Sequence, residues 1–373
     1  MRILYLSNGR LPTEKAHGVQ IMKTCDALAV SGAVVTLAVS SIGKGDEESV
    51  FAYYGLKKSF SITRVRGIAL LSWGSFGYTL RSIFFALSVF LSLPLKTFDV
   101  IYTRDEMSVL ILTLFGYNVY FEMHDVRNGF VQRTALRRAS GIVAISKGLS
   151  RYCLGRGIAP EKIIVAPDAV TLEDFNVAEK KHECRQRLGL PQDVSIVLYA
   201  GHLYSWKGAH TLADSAKLFN SLISAVFVGG TDRDVSLFKE RYGLEKNLII
   251  LGQKPHAEIP YYLKSADILV LPNSAKEDIS RLYTSPMKLF EYMASGTPIV
   301  ASDLPSIREI LSEKNCFFAK PDNAGDLASV IDGVIQNGEE SACRAKQASA
   351  DVLGYSWEKR AEKILSIVQK TGQ

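Results

Sequence analysis

Short runs rich in Val, Ile and Leu alternate along the chain with longer stretches whose apolar residues follow helical spacing. Because the runs are almost continuously apolar, they are typical of strands buried on both faces of a parallel sheet. The helical stretches between them predict βαβ crossovers. The predicted strands are RILYLS (2–7), VVTLAVS (34–40), FDVIYT (98–103), NVYFEMH (118–124), GIVAIS (141–146), SIVLYAG (195–201), SAVFVGG (224–230), NLIILG (247–252), DILVLP (267–272) and TPIVAS (297–302).

The length of the chain predicts two domains. It has 373 residues, more than one ordinary core accommodates, and 47% of them are hydrophobic, so each half can bury a core of its own. The stretch 171–193 is charged and poor in large apolar residues, which marks the join. We predict doubly wound α/β domains over residues 1–171 and 193–355, joined by a linker over 172–192.

Cysteines, histidines and the first residues limit the class of protein. The five cysteines form no CxxC pair and the six histidines no HExxH, which argues against a zinc site and a disulfide framework. Free cysteines fit a reducing cytoplasm. The opening MRILYLSN lacks the basic-then-apolar pattern of a signal peptide, so we interpret it as a first strand and expect a cytoplasmic protein.

Several common nucleotide and hydrolase motifs are missing. The segment after the first strand, NGRLPTEKAHGVQ (8–20), has no GxGxxG, and the chain has no GxxxxGK[ST] and no GxSxG. These absences argue against NAD, a Walker-type ATPase and an α/β-hydrolase triad. Asp232 and Asp234 form a DxD, a pattern that holds a metal in one class of sugar transferase. Such short patterns arise often by chance, and we predict no metal.

Polar residues follow the predicted strands at the points where ligands bind in doubly wound folds. Glu122 and His124 alternate near the end of one strand and therefore share a face. Several of the groups are cationic or rich in backbone N–H, which is the profile of a diphosphate site. The groups are His17 with Gly18, Arg104 with Asp105, Glu122 with His124, His202 with Lys207, and residues 285–291.

Charge is distributed unevenly. Residues 49–98 contain no Asp or Glu but include six basic residues, Lys57, Lys58, Arg64, Arg66, Arg81 and Lys96. This excess indicates either an anionic partner surface, nucleic acid or membrane, or a solvated basic face. Within it, SIFFALSVFLSLPL (82–95) is shorter than the ~20 residues that span a bilayer. It predicts either a buried helix or a helix lying on a membrane.

Eight segments in chain order resemble the retaining, nucleotide-sugar-dependent glycosyltransferases of the GT-B fold, known as glycosyl transferases group 1. The segments are HGVQIMKTCDALAVSGAVVTLA (17–38), MHDV (123–126), AISKGLSRYC (144–153), VAPDAVTLEDF (165–175), GHLYSWKG (201–208), GQKPHAEIPYYLKSADILVLP (252–272), SPMKLFEYMASGTPIVASD (285–303) and YSWEKRAEKIL (355–365). The resemblance implies two Rossmann-like domains that face a central cleft, with the helix 356–373 packed back on the first domain.

The resemblance also implies roles for residues of the donor site. Glu291 would bind the ribose hydroxyls, since a carboxylate accepts from both. Lys207 would neutralise the diphosphate as the leaving charge develops. Backbone N–H groups at Thr284 and Ser285, where the helix starts, would bind phosphate.

The first domain would contribute three residues to this chemistry. Gly18 would let its loop approach the diphosphate without a Cβ. His124 would meet the donor sugar or its phosphate and act with Lys207 and Glu291 in catalysis. Arg104 would lie on the acceptor side.

Two positions depart from the family pattern. Tyr283 stands where the family often has a glutamate that contacts the donor sugar, which leaves the sugar open. His202 stands where a phosphate-binding arginine is usual, which weakens that contact or makes it pH-dependent. In the same region, Pro286 fits the first turn of a helix capped by Thr284 or Ser285 and ended by Gly296.

The predicted function is transfer of a sugar from a nucleotide diphosphate sugar to an acceptor hydroxyl with retention of configuration. We expect no metal, no cofactor and no nucleic acid partner. The acceptor is expected to be a lipid-linked or cell-surface glycan, reached at the inner, anionic face of a membrane. The alternatives are a nucleotide-sugar 2-epimerase of the same fold and a catalytically inactive module that binds nucleotide sugars.

Overall fold

A computed structural model describes residues 1–43, 45–68 and 74–371, which form two compact units. The first unit comprises Met1–Asp168 together with the segment from Trp357 onward, and the second comprises Ala169–Ser356. Each unit is a parallel β-sheet with helices in the crossovers.

In the described part of the first unit, seven strands pair in the order β3-β2-β1-β4-β5-β6-β7. All of the pairings are parallel. The strands are β1 Arg2–Ser7, β2 Val34–Ser40, β3 Ser61–Val65, β4 Val100–Thr103, β5 Val119–Met123, β6 Gly141–Ala144 and β7 Ile163–Val165.

The second unit has six strands in the order β10-β9-β8-β11-β12-β13, again all parallel; every one of its residues is described. The strands are β8 Ser195–Ala200, β9 Ile223–Val228, β10 Leu248–Gly252, β11 Ile268–Leu271, β12 Ile299–Ser302 and β13 Phe317–Ala319. Strands β8 and β11 are central, so the loops at their carboxyl ends emerge at the point where the strand order reverses, the usual ligand position in such sheets.

The helices follow the crossovers that the sequence pattern predicts. Those of the first unit are α1 Ala16–Val30, α2 Glu47–Tyr53, α3 Gly74–Ser92, α4 Glu106–Leu114, α5 Phe130–Arg138, α6 Lys147–Gly155 and α15 Trp357–Thr371. Those of the second unit are α7 Lys181–Leu188, α8 Ala209–Ala216, α9 Asp232–Tyr242, α10 Ile259–Ser265, α11 Met287–Ser295, α12 Pro305–Arg308, α13 Ala324–Gln336 and α14 Gly338–Asp351.

All ten predicted strands occur in the structure, and three further strands, β3, β7 and β13, were not predicted. They have five, three and three residues and lie at or next to the edges of the sheets. Edge strands are half-solvated, so their sequences lack the continuous apolar run of a central strand. This is why SITRV, with its polar alternation, gave no strand signal.

The predicted linker, residues 172–192, lies inside the second unit. Its helix α7 packs against α10, and the buried Arg185 donates from Nε to the carbonyl of Ser265 at 2.9 Å and forms an ion pair with Asp267 at 2.5 Å. The charged residues of this stretch therefore include partners of Asp267, at the amino end of β11, and the stretch is not a solvated linker.

The apolar segment 82–95 lies mostly in α3, which packs against α4 and β3. Phe85, Ala86 and Val89 are buried, whereas Leu87 and Leu91 are 42% and 80% exposed. The segment thus buries one face and exposes another. Among the helices of the described residues, none is long and apolar enough to cross a membrane.

Helix α15 packs against α1, β6 and β7 of the first unit. Its buried face carries Trp357, Ala361, Ile364 and Ile367, and it also carries Arg360, which is only 3% exposed. A charged side chain at such a position requires a compensating partner.

Candidate functional site

Two glycines shape the carboxyl edge of the second sheet. Gly201 follows β8 with φ 146° and Gly229 follows β9 with φ 111°. A Cβ on Gly229 would lie 2.5 Å from the carbonyl oxygen of Gly201, so the two backbone segments approach too closely for any other residue. The edge therefore presents closely packed main chain, which a ligand can approach directly.

The loop that carries Lys207 is fixed to the segment after β11. Lys207 closes a 3₁₀ turn, Ser205–Lys207, and is followed by Gly208 in the left-handed region at φ 70°. A Cβ on Gly208 would lie 1.7 Å from the carbonyl oxygen of Pro272. In addition, Ser274 N donates to the carbonyl of Trp206 at 2.9 Å. The position of Lys207 is therefore set by backbone contacts between the loop after β8 and the segment after β11.

Lys207 and Glu291, the two residues predicted to be central to donor chemistry, lie within electrostatic range of each other. Burial lowers the pKa of Lys207, and the Glu291 carboxylate opposes that shift. The Glu291 side chain is 13% exposed, with Oε1 3.8 Å from Nε2 of His256. A lysine and a carboxylate held together at the end of β8 and on α11 can bind a phosphate and a diol side by side.

Helix α11 starts one residue later than expected. It begins at Met287 with Pro286 at the N-cap position and no side-chain cap, so the predicted capping by Thr284 or Ser285 is wrong. The buried position of both residues accounts for the difference, since they follow the π-helical turn Ile279–Tyr283 rather than standing at the helix end. The predicted end at Gly296 is confirmed, with φ 70°.

Tyr283, Thr284 and Ser285 come just before Pro286 and the start of α11. The helix starts at Met287, one turn before Glu291. Thr284 and Ser285 are 9% and 8% exposed. Binding of phosphate by their backbone N–H groups, and contact of Tyr283 with a donor sugar, stay predictions.

His202 lies in the loop between Gly201 and Lys207. Its carbonyl oxygen accepts a hydrogen bond from the Tyr199 hydroxyl at 2.5 Å, and its ring stacks on Tyr204 with centroids 4.9 Å apart and planes 7° from parallel. The aromatic stack holds the imidazole at the edge of the sheet. Its predicted contact with phosphate is not tested by this geometry.

Two buried polar side chains of this region were assigned no individual role by the sequence, although Lys288 belongs to the candidate diphosphate-site group 285–291. Lys288, 8% exposed, places Nζ 4.1 Å from the centroid of the Tyr199 ring. Asn273, fully buried after β11, has no hydrogen-bond partner for either side-chain atom among the described residues. The signals for Lys288 were its place in the group 285–291 and its position a single helical turn before Glu291.

In the first unit, the prediction that Glu122 and His124 share a face is confirmed, and the two side chains are also in contact. His124 Nε2 lies 2.5 Å from Glu122 Oε1, and that oxygen also accepts from Gln20 Nε2 at 2.5 Å. Tyr102 donates to the other carboxylate oxygen. Arg104 donates to Gln20 Oε1 at 2.9 Å, so Arg104 and His124 belong to one buried network.

The network includes a residue that sequence reasoning missed, Arg360 of α15. Its guanidinium lies 3.1 Å from Glu122 Oε2, and it donates to Thr24 Oγ1 at 3.1 Å and to the carbonyl of Pro167 at 3.0 Å. Although burial alone would raise the pKa of Glu122, the charge of Arg360 and the hydrogen bond from His124 hold it well below its usual range. Nothing in the sequence marked this arginine, since YSWEKRAEKIL is simply amphipathic.

Two histidines of the first unit are held neutral. Burial lowers the pKa of His124 from 6.5 to about 4, with the charge of Arg104 adding to the effect. Burial and Arg104 likewise lower the pKa of His17 to about 4. With Nε2–H committed to Glu122, neutral His124 presents Nδ1 as a hydrogen-bond acceptor. That group suits a sugar hydroxyl better than a phosphate oxygen.

Gly18 is needed for packing in the first turn of α1. A Cβ there would lie 2.3 Å from the Tyr54 hydroxyl and 2.6 Å from Cγ2 of Thr13. The hydroxyl of Tyr54 accepts from Thr13 N at 2.8 Å, which fixes the loop before the helix. A contribution of Gly18 to diphosphate binding stays a prediction.

The DxD has a local structural explanation. Thr231 caps α9, its Oγ1 donating to Asp234 Oδ2 at 2.8 Å and accepting from Asp234 N at 3.2 Å in a capping box. No group of three or more His, Cys, Asp or Glu side chains within residues 1–43, 45–68 and 74–371 is arranged to hold a metal ion.

Comparison with known proteins identifies a family match within the second unit. Residues 180–351 match the family model of glycosyl transferases group 1. A Bacillus subtilis protein named as the teichuronic acid biosynthesis glycosyltransferase TuaC is 28% identical over 223 residues, which cover 59% of this chain and 54% of that protein. The Escherichia coli UDP-Gal:alpha-D-GlcNAc-diphosphoundecaprenol alpha-1,3-galactosyltransferase is 27% identical, with 56% and 54% covered. The matched region thus spans about half the length of these relatives.

Likeness to solved structures extends over the whole chain. HepE from Anabaena in complex with UDP superposes with a TM-score of 0.76 at 18% identity, covering 99% of this chain and 100% of that one. The same protein with UDP-glucose gives 0.74 at 19% identity over 99% and 100% of the two chains. The chain therefore contains a glycosyl transferases group 1 domain and has the fold of the GT-B glycosyltransferases.

Proposed function

We propose that this protein transfers a glycosyl group from a nucleotide diphosphate sugar to an acceptor hydroxyl. The observation that carries the proposal is that Lys207 and Glu291 lie within electrostatic range of each other at the carboxyl edge of the second sheet, where the carboxylate opposes the effect of burial on the pKa of the lysine. Lys207 lies in the loop after β8, beside the closely packed Gly208, and Glu291 lies on α11. The matched family and the UDP and UDP-glucose complexes of HepE support the same donor class.

In the proposed donor complex, Glu291 accepts hydrogen bonds from the ribose hydroxyls and Lys207 binds the diphosphate. As the glycosidic bond breaks, negative charge grows on the leaving phosphate, and Lys207 stabilises it more in the transition state than in the ground state. Neutral His124, with Nδ1 as acceptor, is suited to accept a hydrogen bond from a sugar hydroxyl.

We further propose that transfer retains the anomeric configuration by attack from the same face as the departing phosphate. A phosphate oxygen then takes the proton of the incoming hydroxyl, so the protein supplies no nucleophile. Glu122 is unsuited to that role because its carboxylate is buried among Gln20, Tyr102, His124 and Arg360. NMR assignment of the product anomer checks this, and an inverted product contradicts it.

The proposed acceptor is lipid-linked and is met at an anionic membrane. The surface that supports this, the α3–α4 patch, consists of Leu87, Leu91, Leu114 and Phe115, which are 42%, 80%, 64% and 55% exposed. Phe90 of α3 stacks on Phe115 with centroids 4.1 Å apart, so both helices contribute to one surface. Exposed Lys96 shares a cleft with Phe115. The name of the E. coli relative describes a diphosphoundecaprenol acceptor.

The primary test is Glu291→Gln in an assay of sugar transfer, after nucleotide sugars have been screened by thermal shift. Loss of a charge-assisted hydrogen-bond pair is expected to weaken donor binding ~10- to 100-fold. Glu313→Gln, at an exposed surface position of the same unit, is the matched control and should behave as wild type. Turnover of Glu291→Gln within twofold of wild type would show that the donor site lies elsewhere.

Two further measurements test the reaction class and the absence of a metal. Release of an epimerised free sugar without acceptor would favour a 2-epimerase, and donor binding without turnover across an acceptor panel would favour an inactive module. Addition of EDTA is expected to leave the rate unchanged. Strong inhibition that manganese reverses would contradict a metal-free reaction and would make Asp232 and Asp234 candidate metal ligands.

A further inference from the structure

Lys288 is a buried lysine beside the candidate donor site. Lys288 is 8% exposed, and its Nζ makes no hydrogen bond and no ion pair with any of the residues that the structure describes. Its contact is with the face of the Tyr199 ring, 4.1 Å from the centroid. A buried amine without such partners loses the hydrogen bonds that water would provide, a cost that a bound anion would offset.

The Lys288 ammonium points toward the glycine edge described above. A Cβ built on Gly201 would lie 3.6 Å from Lys288 Nζ, and Gly201 has no such atom. The space between the lysine and the loop that carries His202 and Lys207 is therefore left open by a glycine at φ 146°. An anion that approaches the main chain at Gly201 would come within hydrogen-bonding distance of Nζ.

The charges around Lys288 leave a deficit of negative charge. Burial holds its pKa well below the usual range, the charge of Lys207 lowers it further, and Glu291 opposes both. Tyr199 faces the ammonium as a neutral ring, since burial raises the pKa of its hydroxyl. Two lysines thus share one carboxylate, and an anionic ligand within reach of both lysines would favour their charged forms.

We propose that Lys288 is a second lysine ligand of the donor diphosphate and that it takes up a proton when the nucleotide binds. This rests on the proposed function and assigns a residue that the donor chemistry above does not use. A diphosphate oxygen replaces the Tyr199 ring face as the partner of Nζ, and its negative charge makes the ammonium form favourable. Release of the nucleoside diphosphate product returns the proton to water.

The test compares wild type with Lys288→Met, which keeps the length and apolar stem of the side chain. Titration calorimetry with UDP, GDP and ADP first identifies a nucleoside diphosphate that binds wild type. Lys288→Met is expected to bind that nucleotide ~10- to 100-fold more weakly, while the corresponding nucleoside is bound within about twofold of wild type. Lys346→Met, on the exposed face of α14, is the control and is expected to match wild type.

Proton uptake is the readout that a structural role would not change. Titrations in two buffers of different ionisation enthalpy give the protons bound per nucleotide, between about pH 6 and 10. Wild type is expected to take up a substantial fraction of one proton at some pH in this range, and Lys288→Met to take up less. The wild-type measurement does not depend on the folding of any variant.

The outcomes separate this inference from the proposed function. If wild type binds none of the nucleoside diphosphates, the proposed function fails. If wild type binds one and Lys288→Met binds it within twofold, or if wild type takes up no proton at any pH tested, the donor site stands and the assignment of Lys288 is overturned. Equal weakening of nucleoside and nucleotide would also overturn it.

Discussion

The guanidinium of Arg360 lies 3.1 Å from Glu122 Oε2 in the core of the first unit, and the two side chains are 2% and 0% exposed. Removal of one member leaves the other charged and buried. We expect Arg360→Leu to lower the free energy of unfolding by about 3–5 kcal/mol. Urea unfolding at neutral pH measures the change.

A surface pair on the same helix is the matched control. Lys359 and Glu362 are 55% and 58% exposed and 3.0 Å apart, so Lys359→Ala should cost less than about 1 kcal/mol. In the double variant Arg360→Leu/Glu122→Leu, part of the loss should be recovered because no charge is left unpaired. If Arg360→Leu were as mild as Lys359→Ala, Glu122 would not depend on the arginine.

The stability of the first unit should depend on pH through two groups of opposite sign. The pKa of His124 falls from 6.5 to about 4, so between these values the unfolded chain binds the extra proton and stability rises with pH. Burial raises the pKa of Asp168 from 3.8 to about 6, so there the folded chain holds the proton and stability falls as pH rises.

Variants at these two positions should therefore change the pH profile in opposite directions. In wild type, His124 raises the free energy of unfolding by ~1–3 kcal/mol from pH 4 to 6.5, and His124→Gln should remove this rise. Asp168 lowers it by a similar amount over the same range, and Asp168→Asn should remove that fall. Urea titrations at several pH values compare the slopes with wild type. Parallel changes in the two variants would contradict the assigned directions.

Gly208 holds the loop of Lys207, and its replacement should be severe. An alanine Cβ would lie 1.7 Å from the carbonyl of Pro272 and would also stand at φ 70°. Gly189→Ala is the matched control, because φ is 65° there and nothing lies within 4 Å of the new Cβ. The control should lose about 1–2 kcal/mol from backbone strain alone, and Gly208→Ala clearly more. Thermal unfolding and donor affinity report the difference, and equal losses would show that the Pro272 contact relaxes freely.

Lys207→Ala should reduce kcat more than it raises the apparent KM for the donor. The reason is that the phosphate charge which Lys207 binds grows as the glycosidic bond breaks. Steady-state kinetics with saturating acceptor separate the two constants. A change confined to KM would make Lys207 a ground-state ligand only.

The α3–α4 patch should bind anionic vesicles at low salt. Each buried leucine contributes about 1.5–3 kcal/mol and each nearby lysine about 1 kcal/mol, which suffices for reversible binding. Leu91→Asp with Lys96→Glu should abolish co-sedimentation. Leu244→Asp, at a position 99% exposed in the second unit, is the control. Equal binding of wild type to neutral and anionic vesicles, or no binding at low salt, would reject a peripheral contact.

The structure changes which basic residues can take part in this contact. Of those in the acid-free stretch, Lys58 pairs with Glu47 at 2.5 Å, Arg64 donates to the carbonyls of Gly43 and Gly45, and Arg81 donates to the carbonyl of Asn8 at 2.9 Å. Residues 69–73 of the stretch lie outside the described residues. Charge reversal at Lys58 or Arg64 would therefore disturb the fold as well as a surface.

Central strands and strand-end chemistry could be predicted from the sequence because both are local in the chain. A buried parallel strand is one apolar run, and Lys207 follows such a run within a few residues. Glu122 and His124 could be paired because alternate residues of a strand share a face. The edge strands β3, β7 and β13 could not be found, since β7 and β13 have only three residues and β3 alternates polar and apolar residues, whereas the longer apolar edge strand β10 could be found.

The remaining errors arose from contacts between distant residues. Arg185 looked like part of a solvated linker until Asp267 was placed beside it. In the sequence, Arg360 looked like a surface residue. Its partners Glu122, Thr24 and Pro167 are far away along the chain, so the sequence does not show that they surround it. Lys288 sits on a helix with normal amphipathic spacing, and only the ring of Tyr199 and the absence of a Cβ at Gly201 distinguish it.

The contribution of α15 to the first unit has a consequence for the order of synthesis. Arg360 and its hydrogen-bond partner Thr24 are 336 residues apart, so the ribosome makes the whole second unit before the arginine emerges. Until then, the nascent first unit must tolerate Glu122 without its counter-ion or keep it hydrated. A fragment cut after Asp168 would remain in that unfinished condition, whereas the same fragment fused through a short linker to residues 357–371 would carry its own counter-ion. Dissection of this protein into separately expressed units should therefore follow its three-dimensional boundaries and not a single cut in the chain.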